Sequence, residues 1–96
     1  MAAEPSSLKE ARRIFVRLRL DTSVLHIRME RGILMVTGRI CYPDLMGEGG
    51  RGVNYELLHE MHRRLCQLAD VKGVEYQLQN WMHTGDGGWA KRYSRL

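Results

Sequence analysis

The chain has 96 residues, 44% of them hydrophobic and 27% charged, and a formal net charge of +4. That length supplies one hydrophobic core and not two, and that balance is the one ordinary globular domains show, which excludes wholesale disorder. The apolar runs fall far short of the roughly 18 residues a membrane-spanning helix needs, and 15 bases against 11 acids is too mild an excess to mark a dedicated polyanion binder.

Residues 1–7 read as a flexible leader, with Ser6 or Ser7 placed to cap a helix beginning at Leu8 and Glu10 placed to complete a capping box from Ser7. Leu8, Ala11, Phe15 and Leu18, with Ile14 beside them, make one apolar stripe, while Lys9, Arg12, Arg13 and Arg17 project elsewhere. The same stretch also alternates, Ile14, Val16, Leu18 and Leu20 against Phe15, Arg17 and Arg19, as a half-buried strand would. The helix is preferred because its pattern extends back to Leu8.

After Asp21-Thr22-Ser23 the period becomes two. Leu25, Ile27 and Met29 share one face and His26, Arg28 and Glu30 the other, which predicts a strand. Arg31-Gly32 is a tight turn into a second strand, in which Leu34, Val36, Gly38 and Ile40 alternate with Ile33, Met35, Thr37 and Arg39. Gly38 points inward in this register and is expected to let a helix approach closely. Residues 41–53, with four glycines and a proline, read as a mobile loop. Asn54 is placed to cap a second helix with Leu57, Leu58, Met61, Leu65 and Leu68 as its stripe, ending near Ala69 or Asp70. Val74, Tyr76 and Leu78 alternate with Glu75, Gln77 and Gln79 as a third strand, and residues 82–96 read as a loose, flexible tail.

The order helix, strand, strand, helix, strand over residues 8–81 is an α+β fold. It predicts a two-layer sandwich in which a small three-stranded sheet carries both helices on one face, because each amphipathic helix needs an apolar surface for its stripe. The hairpin Gly32-Ile33-Leu34-Met35-Val36-Thr37-Gly38-Arg39-Ile40 and the segment Asp70-Val71-Lys72-Gly73-Val74-Glu75-Tyr76-Gln77-Leu78 resemble the BON domain of bacterial envelope and osmotic-stress proteins. The closing segment keeps that family's valines and leucine and lacks its glycine and asparagine. The long glycine-rich loop is also a departure, as is a single copy without a leader. The resemblance implies a noncatalytic interaction module that contacts phospholipid or other macromolecules, and it brings no catalytic residues.

Chemical motifs are few. His59-Glu60-Met61-His62 spaces its histidines by three where a zinc protease helix needs four, and Glu56 with His59 makes one Glu-x-x-His where a di-iron site needs two. Cys66 follows His62 by four residues on the same helix, which is proximity without an orienting third group. Gly47-Glu48-Gly49-Gly50 satisfies the Gly-x-x-Gly of KH RNA-binding domains, but too few residues precede it for the helix that loop requires. With no Gly-x-Ser-x-Gly, P-loop or dinucleotide fingerprint, no enzyme, metal or cofactor is expected. Cys41 and Cys66 form no Cys-x-x-Cys and suit free thiols in a reducing cytoplasm, with a single bridge between them as the alternative.

The hairpin register leaves one sheet face without a helix. On it stand Arg28, Ile33, Met35, Arg39 and Trp81, an apolar centre with basic edges. Grouped exposed apolar side chains mark contact sites, so a protein partner or a second copy of the chain is expected there unless the tail, through Trp89 or Tyr93, covers it. The alternative is an anionic phospholipid or nucleic acid held by Arg12, Arg13, Arg17 and the tail bases.

Overall fold

The computed structural model describes residues 6–43, 52–84 and 88–92. Its elements are α1 (Ser6–Arg17), a single 3-10 turn (Thr22–Val24), β1 (Leu25–Glu30), β2 (Ile33–Gly38), α2 (Tyr55–Cys66), β3 (Gly73–Leu78), β4 (Trp81–His83) and β5 (Trp89–Lys91). The α+β class and the order of the first five predicted elements hold. The hairpin β1–β2 is antiparallel, β2 pairs with β3 in parallel, and the sheet order is β1-β2-β3. A parallel pair needs a long crossover, which α2 and its flanking loops provide.

Arg31 and Gly32 both have positive φ, 51° and 85°, which is the type I′ geometry that matches the twist of a two-residue hairpin. The Gly32 carbonyl then accepts from Lys72 N–H at 2.7 Å, so the same turn pins the start of β3. The register places Leu25, Ile27 and Met29 beside Gly38, Val36 and Leu34, and these in turn beside Leu78, Tyr76 and Val74. That is the predicted inner face. Against it pack Ala11, Ile14 and Phe15 of α1 and Leu58, Met61 and Leu65 of α2, in one continuous core with Ile40, Val53, Trp81 and Trp89.

Both helices end and begin for local reasons. α1 closes in a Schellman motif: Leu20 N–H donates to Phe15 and Arg19 N–H to Val16, with Arg19 at φ 63° in the position glycine usually takes. Asn54 caps α2 as predicted, its side chain accepting from Leu57 N–H at 2.9 Å. α2 stops at Cys66, short of Ala69. Ser7 is not a cap. It lies buried in the first turn of α1, where its hydroxyl donates to Asp70 at 3.4 Å. Cys41 and Cys66 are both free thiols, so the bridge between them is not formed. The mobile loop expected at 41–53 falls largely outside the described residues; its two ends meet in a bridge between Cys41 and Gly52.

Two expectations fail for tertiary reasons. Gly38 makes room for backbone and not for a helix. Its φ is 105°, and a Cβ there would stand 2.1 Å from the Val24 carbonyl oxygen, which accepts from Arg39 N–H. The described part of the tail, expected to be loose, is instead the second strand of a small antiparallel sheet, β4 with β5. Asn80 ties this hairpin down. Its side-chain amide donates to the Ile40 carbonyl at 2.8 Å and accepts from Ile40 N–H at 3.2 Å, while its own carbonyl accepts from Arg92 N–H at 3.0 Å. Ile40 is fully buried, so its backbone has no water to turn to, and the Asn80 amide continues the β2 ladder where β3 has stopped.

Gly38→Ala is therefore expected to cost at least about 2 kcal/mol, because it adds left-handed strain to a backbone clash, whereas Arg19→Gly is expected to gain about 1 kcal/mol by relieving a positive φ. Urea unfolding of the two variants, followed by circular dichroism, checks both signs.

Candidate functional site

Two surfaces collect the residues that could carry function: the helix-free face of the sheet and a ring-rich cluster beside α2. On the sheet, Met35 stands at the centre, opposite Arg28 on β1 and Glu75 on β3, with Ile33 between Glu30 and Gly73 one pair along. Met35 is only 9% exposed, yet it does not belong to the core cluster. A shallow open depression runs past it, lined by Glu30, Arg31, Ile33, Met35 and Glu75. Arg39 is exposed just past β2, and Arg28 lies 3.7 Å from Glu30, a loose surface pair.

Trp81 does not join this face. It is 3% exposed and sits in the core, edge-on to Tyr55 at 5.3 Å, with the Lys91 ammonium 5.8 Å from its ring centre. Counting by two from Gln79 placed it outside, but the Gln79–Asn80 turn separates β3 from β4 and resets the alternation. Trp89 is likewise buried, packed on Tyr76 at 4.7 Å. Tyr76 belongs to the inner face, so Trp89 folds to the helix side of the sheet and does not cover the outer face.

The cluster beside α2 gathers His62, Tyr76, His83 and Trp89, with ring centres 4.7 to 5.7 Å apart in the pairs that touch. The spacing of His62 from Tyr76 in the sequence gives no hint of it; the crossover brings them together. Burial, with the Cys66 sulfur second, pushes the Tyr76 phenol far up, so it keeps its proton, and its oxygen lies 2.8 Å from His62 Nδ1 in a hydrogen bond. Burial first, then the His83 and His59 charges, pushes His62 down from its ordinary value.

Geometry limits what Cys66 can do. The sulfur lies 3.4 Å from Nε2 and 3.9 Å from Nδ1, which places it beside the ring, since a sulfur on the Nε2 axis would stand much farther from Nδ1. In that position it does not face the in-plane lone pair of either nitrogen, and burial pushes the thiol up, not down. Nor is Glu60 a free acid or base. Arg63 holds it with two bonds, at 2.6 and 3.0 Å, and Arg64 with one at 2.8 Å, and these keep its carboxyl down at about 2. Among the described residues no three His, Cys, Asp or Glu side chains are placed to hold a metal ion.

Arg12, Arg13 and Arg17 are all exposed, and Arg13 donates to Glu10 at 2.9 Å. The Gly-x-x-Gly at 47–50 lies outside the described residues. No helix among the described residues is long and apolar enough to cross a membrane. Comparison with known proteins gives no match: no family model, no curated protein and no solved structure matches the chain.

His62 makes stability depend on pH in a defined window. The unfolded chain takes up a proton near the ordinary 6.5, whereas folded His62 does so only lower, so stability present above that value is lost as pH falls through 6.5 toward the folded pKa. The depressed Glu60 carboxyl acts in a separate, lower window, between its ordinary 4.5 and about 2. Urea unfolding between pH 7 and pH 5 is expected to show the loss and His62→Gln to flatten it.

Proposed function

We propose that this chain is a noncatalytic interaction module that docks a partner, in the first instance a second copy of itself, on the outer face of its sheet. The observation that carries the reading is the placement of both helices, and of Trp89, on the other face, which leaves Met35 and Ile33 in a depression rimmed by charge. An apolar centre with a charged rim is the usual anatomy of a contact surface.

A two-fold dimer needs a patch that is complementary to itself, hence one carrying both signs. This face does: Arg28, Arg31 and Arg39 are interspersed with Glu30 and Glu75. Met35 is 9% exposed in the single chain, so in a face-to-face pair its thioether is uncovered only as the partner covers it. Methionine suits such a centre because its flexible, polarisable side chain adapts to the surface it meets. The element order is also the one that the resemblance to BON domains implies, and a noncatalytic role agrees with a thiol and imidazole that do not activate each other. The free thiols suit a cytoplasmic setting. Arg13 of α1 is bonded to Glu10, which leaves lipid or nucleic-acid binding by that helix with less support.

Sedimentation velocity over a protein concentration series is expected to show reversible dimerisation that Met35→Asp abolishes without unfolding the chain. Arg28→Glu alone is expected to weaken the dimer about tenfold and Arg28→Glu with Glu75→Arg to restore most of it. A monomer at all concentrations, unchanged by these substitutions, contradicts self-association.

A further inference from the structure

The edge of the sheet holds a second surface, independent of its outer face. β1 is a terminal strand: among the described residues nothing pairs with it on the side away from β2. The direction of its free backbone groups follows from the pairing. Arg39 N–H donates to the Val24 carbonyl at 2.9 Å, which makes Val24 and Arg39 a hydrogen-bonded pair and, at every second step, His26 with Thr37, Arg28 with Met35 and Glu30 with Ile33. Leu25, Ile27 and Met29 therefore aim their N–H and C=O groups out of the sheet. The strand carries no proline and its register runs unbroken, so none of these features blunts the edge.

α1 overhangs this edge. A groove between helix and strand is lined by Arg12, Phe15, Val16, Leu25, His26 and Ile27, with Thr22 at its end. Val16 is 63% exposed, a β-branched apolar side chain on the wall of the groove and outside the helix's buried stripe. Among the described residues no carboxylate lines the groove.

We propose that the β1 edge and this groove take up an extended acidic peptide, which adds to the sheet as a fourth strand. Its backbone bonds to Leu25, Ile27 and Met29. On the helix side its small apolar side chains lie over Val16 and Phe15. On the outer side its carboxylates lie beside His26 and Arg28, with Arg12 closing the groove above. Glu30, at the far end of β1 and 3.7 Å from Arg28, sets where the acidic stretch must stop. A second copy of β1 is the competing occupant: two-fold pairings centred on Ile27 or Arg28 oppose bases to each other, and one centred on Met29, which sets Arg28 against Glu30, spans only the end of the strand.

The test is a titration of the isotope-labelled chain with an octapeptide of alternating valine and glutamate, read by amide NMR shifts. Three comparison peptides go with it: one with lysine for glutamate, and two N-methylated on alternate residues, one in each phase. Strand addition predicts shifts at the amides of residues 24–30 and binding that weakens as salt is raised. It also predicts that the lysine peptide binds at least about tenfold more weakly and that one N-methylated phase is lost while the other is kept. Val16→Asp is expected to weaken the acidic peptide and Met35→Ala, which removes the outer face's apolar centre without adding a charge beside Arg28, to leave it unchanged, which separates this surface from the outer face. The proposal is overturned if the acidic peptide does not bind at millimolar concentration or if the lysine peptide binds equally. It is also overturned if both N-methylated phases bind alike, or if protein concentration alone shifts the amides of residues 24–30 without those of 31–37 and 73–77, which would make the edge a contact between copies.

Discussion

β2 is hydrogen-bonded on both sides, antiparallel to β1 and parallel to β3, and the parallel pairing decides where the rest of the chain can go. A parallel neighbour cannot be reached by a turn, so the chain must leave the sheet, cross it as α2 and return. α2 brings Leu58, Met61 and Leu65 over the inner face, and α1 brings Ala11, Ile14 and Phe15 to the same side, because that is the only place both stripes can share one core. Among the described residues the consequences are an outer face without a helix and a first strand without an outer neighbour. Both candidate surfaces are by-products of that single topological choice.

Where the ladder ends, side chains and special backbone take over from strand pairing. Gly38 lets β2 run close against the Val24 carbonyl, and Asn80 then supplies to Ile40 the two hydrogen bonds that a longer β3 would have made. An unpaired buried peptide group costs about 1–3 kcal/mol, so this one amide is as important to the local structure as a large core side chain. It also explains the terminal hairpin. Asn80 turns the chain back toward α2, and Trp81 and Trp89 enter the core from β4 and β5. The histidine, tyrosine and thiol that meet there are assembled as packing. Their protonation states, neutral imidazole and protonated phenol, are those that burial favours, and they oppose nucleophilic chemistry.

Much of this was legible in the alternation of apolar residues. Leu25, Ile27 and Met29 against His26, Arg28 and Glu30 gave the register that the pairing shows, and with it the outer positions of Ile33 and Met35. Asn54 could be read as a cap because capping is local, and Arg31-Gly32 as a turn because its backbone conformation is. What failed depended on distant partners. Ser7 looked like a cap until its hydroxyl found Asp70, and Trp81 looked outward only because the turn at Asn80 is invisible to a count by two. Gly38 was seen to be structural, but the group it accommodates is a strand backbone brought close by the hairpin itself. The burial of Met35 on the outer face was also beyond reach, since it depends on what surrounds β2 in space and not on its own alternation.

The account rests on the outer face being a place where something docks. Backbone amide spectra recorded across a protein concentration series test this most directly, because they report the affected residues together with the association. Concentration-dependent shifts confined to residues 26–37 and 73–77 are the predicted result. Spectra that do not change with concentration, or changes that map to α1 and α2 instead, would contradict it.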